Sequence, residues 1–248
     1  MNQILAALIF FTRLPFWKIK EVPQECFKHV VSYWSFSGWL TGGMMALIFW
    51  GASTILPHGV AVILALTSRL LITGALHEDG LADFFDGFGG GTNRESTLRI
   101  MKDSHIGSYG VLGLIIYYLL AYNLLVALPL TVTPFLLLSG DTWSKFISSN
   151  IINYLPYARK EEDSKSGTVY TRMSFGEIVM SAMGGILPLL LLPPSYWPVY
   201  IFPILVFSFI CRMMKRRLNG YTGDCCGALF LLSEISFWLG AVMSIYIK

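Results

Sequence analysis

Apolar runs long enough to cross a bilayer recur along this chain, and they constrain everything else. Hydrocarbon holds no water to satisfy a backbone N–H or C=O, so a crossing segment satisfies its own polar groups as a helix. A helix needs about 20 residues for the crossing. Runs at 33–56, 60–76, 110–128, 135–152, 175–192, 199–213 and 225–246 approach or exceed that length. Composition agrees: 54% of residues are hydrophobic and only 13% are charged. The expected fold class is therefore all-α, a polytopic integral membrane helical bundle of about seven transmembrane helices in a single domain, 1–248.

Residues 1–16 are apolar with one charge, and residues 17–28 turn polar around Pro23. This reads as an N-terminal amphipathic or re-entrant segment on the membrane surface. It has no basic region ahead of Ile4 and meets Arg13 at once, so no cleavable signal peptide is expected. Gly38, Gly42 and Gly43 form a small-residue stripe suited to close helix packing. Cys26, Cys211, Cys225 and Cys226 lack metal-ligand spacing and read as reduced, small apolar residues.

Charge orients the bundle. Of 18 Lys and Arg residues, 15 fall on one side, in the N-terminal segment and the loops 92–109, 153–174 and 212–224. The opposite turns, 57–59, 129–134 and 193–198, hold none. That is the positive-inside pattern, and it places the acidic stretch between the second and third spans in the cytoplasm. The basic loops are sparse in aromatic residues, and no nucleic-acid partner is expected.

The acidic stretch itself reads LHEDGLADFFDGFGGG at 76–91. With about 100° of rotation per helical residue, Asp83 and Asp86 fall within roughly 40° of Asp79, so three carboxylates share one narrow face. Leu81, Phe84, Phe85 and Phe88 fall on the opposite face. Three anions so close repel one another, and a hard divalent cation such as Mg²⁺ is the simplest remedy. Nearby, residues 94–110 supply Arg94, Arg99, Lys102, Asp103, Ser104 and His105, with Gly107 and Gly110 where backbone can approach a ligand. The loop before the last span holds Thr222, Gly223 and Asp224; Asp224 joins the metal-ligand set or caps the helix that follows. Acids for a metal, bases for phosphate and glycines that admit it are the parts phosphoryl transfer needs. Inside the spans, Asp141 and Lys145 stand at i, i+4 and are expected to pair, as are Arg69 and Glu234 across helices, both in structural roles.

Four passages, FTRLP at 11–15, HEDGLADFFDG at 77–87, MKDSHIGSYG at 101–110 and GYTGD at 220–224, run in order along the chain. In these it resembles the cobalamin synthase family, the adenosylcobinamide-GDP ribazoletransferases of vitamin B12 assembly. LPYAR at 155–159 is a weaker fifth match. The family continues it with glycines, whereas here the acidic insert 161–163 delays the glycine to Gly167. The family's loop before the final helix opens with paired glycines, and Asn219 takes the first place here.

The resemblance implies a Mg²⁺-dependent transferase of the bacterial cytoplasmic (inner) membrane, with its active site facing the cytoplasm. It would join α-ribazole, or its 5′-phosphate, to adenosylcobinamide-GDP and release GMP. On that reading Asp79, Asp83, Asp86 and Asp224 hold the metal, and Arg13, Arg94, Arg99 and Lys102 neutralise the leaving GMP. Gly107, Thr222 and Gly223 border the substrate. Asp86 or Asp103 accepts the proton of the attacking ribose hydroxyl, with His77 as the alternative. Besides these substrates the partners are the lipid membrane and, optionally, further copies of the chain. A polytopic transporter is the first competing class, but no internal repeat is evident and the polar residues gather in loops. The DGLAD…D pattern also resembles CDP-alcohol phosphatidyltransferases, whose signature has Arg where Asp83 stands.

Overall fold

The computed structural model describes residues 2–159 and 169–246. The elements in order are α1 (Asn2–Phe11), a 3₁₀ segment (Gln24–Tyr33), α2 (Trp34–Ser53), α3 (His58–Thr73), α4 (Leu76–Gly90), α5 (Arg94–Ile100) and α6 (Ser108–Val126). There follow α7 (Thr133–Ser149), α8 (Ile151–Tyr154), α9 (Phe175–Ile186), α10 (Ile201–Leu218) and α11 (Gly223–Tyr246). The described residues contain no β-strand, only one isolated bridge between Tyr157 and Tyr221. The all-α expectation holds.

A helix stands on each of the predicted runs, but length and composition qualify fewer of them as spans. Three helical stretches, Ser108–Val126, Pro194–Leu218 and Gly223–Tyr246, are long and apolar enough to cross a membrane, and a fourth if the bent pair α3–α4 is one span. The count is lower because α3, α7 and α9 are 16, 17 and 12 residues long, and α2, at 20 residues, is not apolar enough. The outward faces of α6 and α10 nevertheless carry Leu112, Ile116, Leu119, Leu205 and Phe209 in the open, surface suited to lipid rather than water. α11 runs through the middle, with Cys225, Leu229, Phe237 and Trp238 all closed off.

α1 stands on the N-terminal apolar segment and packs one face into the bundle. Its ten residues are too few to cross, and Ala6 and Ala7 are fully buried in the core. Close packing explains most of the glycine stripe: a Cβ at Gly38 would stand 2.9 Å from the Thr142 backbone, and one at Gly42 2.9 Å from Asp141. Gly43 faces nothing within 4 Å and has no part in that interface. All four cysteines are free thiols.

The connection that matters most joins α3 to α4. Gly74 and Ala75 both take left-handed backbone, φ 63° and 60°, and their amides return to the Leu70 carbonyl. This ends α3 as a left-handed C-cap does and turns the chain through 90°. α4 then lies across the bundle, packed on α11 and α6.

Both predicted intramembrane pairs form. Lys145 Nζ lies 2.6 Å from Asp141, and Arg69 Nη1 lies 2.5 Å from Glu234. They belong to one buried network that takes in Glu78 of α4, 3.7 Å from Arg69, and the Tyr117 hydroxyl of α6, 2.7 Å away. Thr41 of α2 accepts from Lys145 at 2.6 Å and donates to Asp141. Charges this deep are tolerated because each meets an opposite charge, and the network ties α2, α3, α4, α6, α7 and α11 together.

Candidate active site

The C-terminal ends of α1 and α3 and the N-terminal ends of α4 and α11 come together around a cavity of about 510 Å³. α4 contributes His77 and Asp79 from its first turn, and α11 contributes Gly223 and Asp224. The two helices can meet because Gly80 has no side chain: a Cβ there would stand 3.0 Å from the Asp224 carbonyl oxygen. Arg13 enters from the segment after α1; its backbone N–H donates to the Ile72 carbonyl at 2.7 Å, and its side chain lies over Gly74. Any side chain at Gly74 would strike that guanidinium stem as well as strain the backbone.

A second cavity, about 840 Å³, lies beside the first and is lined by Arg94, Arg99, Lys102, Asp103 and Arg159. Four cations against one acid give it a strongly positive lining. Arg159 lines both cavities. Its Nη2 lies 3.4 Å from Asp224 Oδ2 and donates to the Leu98 carbonyl at 3.4 Å, so one guanidinium links α11 to α5. Arg94 is partly committed to structure: Nε donates to the Leu218 carbonyl at 2.8 Å and Nη2 to that of Ala158.

The three carboxylates of α4 are parted by what packs on their helix. The helix forms as projected, but only Asp79 is exposed and lines the cavity. Asp83 is buried at 9% exposure and lines neither cavity. Asp86 accepts from the Gly107 amide at 2.7 Å and the Gly110 amide at 2.8 Å, one to each oxygen. Gly107 precedes α6, so Asp86 sits on that helix's N-terminus, where a negative charge is favoured. This corrects the reading of Gly107 and Gly110: their close approach is to Asp86, whose carboxylate fills the space a Cβ would take.

The other predicted residues sort as follows. Thr222, not Asp224, caps α11: its Oγ1 accepts from the Cys225 amide at 3.3 Å and donates toward Asp224 at 3.3 Å. His77 is 2% exposed, ringed by Phe11, Trp34 and Phe230 with centroids 6.1, 5.4 and 5.0 Å away. Its Nε2 has no hydrogen-bond partner among the described residues. Asp103 accepts the His105 amide at 3.0 Å and the His105 ring at 2.7 Å. The backbone hydrogen bond first, then the ring, holds the Asp103 carboxyl below its usual range, which makes it a weaker base. Asn219 stands at φ 52° as the C-cap of α10, a left-handed position that glycine fills most readily and asparagine next. Its place in the family's glycine pair is thereby explained. The insert 161–163 and Gly167 lie outside the described residues.

Arg159 lines both cavities without a local motif of charges to single it out. Only the LPYAR passage pointed to it. The aromatic wall of the cavity carried no local signal, since Trp34, Tyr157 and Tyr170 are far apart in the chain. Among the described residues no three His, Cys, Asp or Glu side chains stand together as a metal cage. Mg²⁺ does not need one, because it takes one or two carboxylates and completes its shell with water and substrate phosphate. Asp79 and Asp224, oxygen donors on one cavity wall, fit that demand.

Together these features define an all-helical protein with faces suited to lipid and a pair of adjoining polar cavities rich in cations. Residues 3–242 match the family described as cobalamin-5-phosphate synthase, and the chain belongs to that family. A protein of Shewanella baltica (strain OS185), named adenosylcobinamide-GDP ribazoletransferase, is 40% identical over 239 residues, covering 95% of this chain and 91% of that protein. One of the same name from Shewanella frigidimarina (strain NCIMB 400) is 37% identical over 243 residues, 96% of this chain and 93% of its own. No solved structure matches.

Proposed function

We propose that this chain joins α-ribazole, or its 5′-phosphate, to adenosylcobinamide-GDP and releases GMP. It does so as a multi-pass enzyme of the bacterial cytoplasmic membrane, its site open to the cytoplasm. The observation that carries the reaction is the family match across residues 3–242. The side of the membrane rests on the positive-inside pattern, which puts the loops of both cavities with most of the lysines and arginines. The seven helices on the apolar runs then cross in turn, with α3 and α4 meeting at the cytoplasmic face.

The chemistry follows from the walls of the cavities. The ribose hydroxyl oxygen of ribazole attacks the phosphorus attached to cobinamide and forms a P–O bond. The bond from that phosphorus to the bridging oxygen breaks, and its electron pair leaves with GMP. The hydroxyl proton goes to a carboxylate of the wall, Asp79 or Asp224, and then to water. Arg159 keeps Asp224 in place and, with Arg94, Arg99 and Lys102, meets the charge on the departing phosphate. Asp79 and Asp224 would hold Mg²⁺, which supplies neutralisation of the pyrophosphate oxygens when bound.

Detergent-purified protein given both substrates and Mg²⁺ tests this. Wild type should release GMP and form the cobalamin product, and Asp79→Asn should lose roughly 100-fold or more in kcat. A folded wild type that makes no product with any divalent ion would refute the reaction. Full activity in Asp79→Asn would refute the site.

A further inference from the structure

The first cavity has two kinds of lining. One is ionic, with Asp79, Asp224, Arg13 and Arg159. The other is made of rings. Phe11 stacks on Trp34 at 5.0 Å and 14°, Phe10 meets Tyr170 edge-on at 6.1 Å, and Tyr157 meets Tyr221 edge-on at 5.5 Å. Trp17 comes from a short 3₁₀ turn, Phe16–Lys18, and lines the same cavity while leaving 53% of its surface exposed. The rings that face one another elsewhere in the wall are braced, whereas Trp17 keeps about half of its surface exposed.

We propose that this aromatic lining takes the flat base of the ribazole substrate, with Trp17 stacking on it. The proposal rests on the function put forward above and names which part of the site each substrate uses. Four flat groups of the two substrates compete for the rings: the corrin, the adenine of its adenosyl group, the guanine and the benzimidazole base. The corrin macrocycle, with its amide arms, is too large for about 510 Å³, a volume in the range of pockets for drug-sized ligands. The guanine is tethered to a diphosphate, and the cations that suit a diphosphate line the other cavity, Arg94, Arg99 and Lys102. The adenine is carried on the corrin and is held back with it, which leaves the ribazole base as the small flat group tied to neither the corrin nor the diphosphate. Seated there, its ribose extends toward Asp79 and Asp224, where the attacking hydroxyl must lie.

Steady-state kinetics with each substrate varied in turn provides the test. Trp17→Ala should raise the KM for α-ribazole roughly 10- to 100-fold, the usual worth of a base stacked on an aromatic ring. It should leave the KM for adenosylcobinamide-GDP within about two-fold, and Trp17→Phe should recover most of the loss. Calorimetric titration of α-ribazole into wild type and Trp17→Ala, without the second substrate, should show the same weakening. Because Trp17 is half exposed, its loss spares the core, and an unchanged melting temperature checks this. A rise in the KM for adenosylcobinamide-GDP instead would place the guanine or corrin at the rings and overturn the proposal. Unchanged KM values for both would overturn it too, leaving Trp17 as an interfacial ring of the kind that lines membrane surfaces. A wild type that consumes no ribazole would sink the proposed function itself, whereas ribazole binding that ignores Trp17 would sink only the subsite.

Discussion

Asp86→Asn separates two roles that the sequence alone assigns to one residue. The structure gives each Asp86 oxygen one backbone amide, from Gly107 at 2.7 Å and Gly110 at 2.8 Å, at the start of the 19-residue α6. Asparagine keeps one acceptor and sets an NH₂ against the other N–H. One charge-assisted hydrogen bond, about 1.5–3 kcal/mol, is lost. The surviving bond also loses its charge, and the helix N-terminus loses an anion that contributes about 0.3–1 kcal/mol. Allowing for partial relaxation of the loop, the sum is about 3 kcal/mol. For a domain of this size that corresponds to a fall in melting temperature of roughly 6–12 °C. Thermal unfolding in detergent, followed by intrinsic fluorescence, measures it. Below the transition the variant should need no more Mg²⁺ for half-maximal GMP release than wild type does. An unchanged melting temperature with a ten-fold higher Mg²⁺ requirement would refute the reasoning and return Asp86 to the metal site.

Two further outcomes follow from the ionic contacts. Arg69→Leu strips the counter-charge from Glu234, Glu78 and Asp141 and should destabilise by about 3–5 kcal/mol; adding Glu234→Leu should restore part of it, read as melting temperature. Arg159→Gln should raise the KM for adenosylcobinamide-GDP roughly ten-fold. Arg159→Lys should recover only part, because a lysine lacks the fork that meets Asp224 and the Leu98 carbonyl at once.

Much of the site was legible where chemistry repeats within a few residues. The Asp141–Lys145 pair follows from one helical turn, and the helix over 76–90 follows from the aromatic back of the acidic stretch. Arg69 and Glu234 were paired correctly from cost alone, since neither could stay buried without an opposite charge. The fate of the three aspartates was not legible. Periodicity put them on one face, but the packing of α11 and α6 against α4 decided which of them met solvent, and only Asp79 did. The sequence left Asp224 open between metal ligand and cap of α11, since Thr222 and Asp224 are both good capping residues; in the fold Thr222 caps, and Asp224 meets Arg159, far away in the chain.

The sequence by itself therefore determined the helical class, the runs suited to a membrane and the family. All of these depend on bond geometry and hydrophobicity summed over neighbouring residues. Only the tertiary structure decided that Asp86 anchors α6 rather than facing the cavity, that Arg159 stands in both cavities, and that His77 is caged by Phe11, Trp34 and Phe230. Each of those outcomes depends on which distant helix arrives at a given face. That is set by packing over the whole bundle, not by the residues on either side.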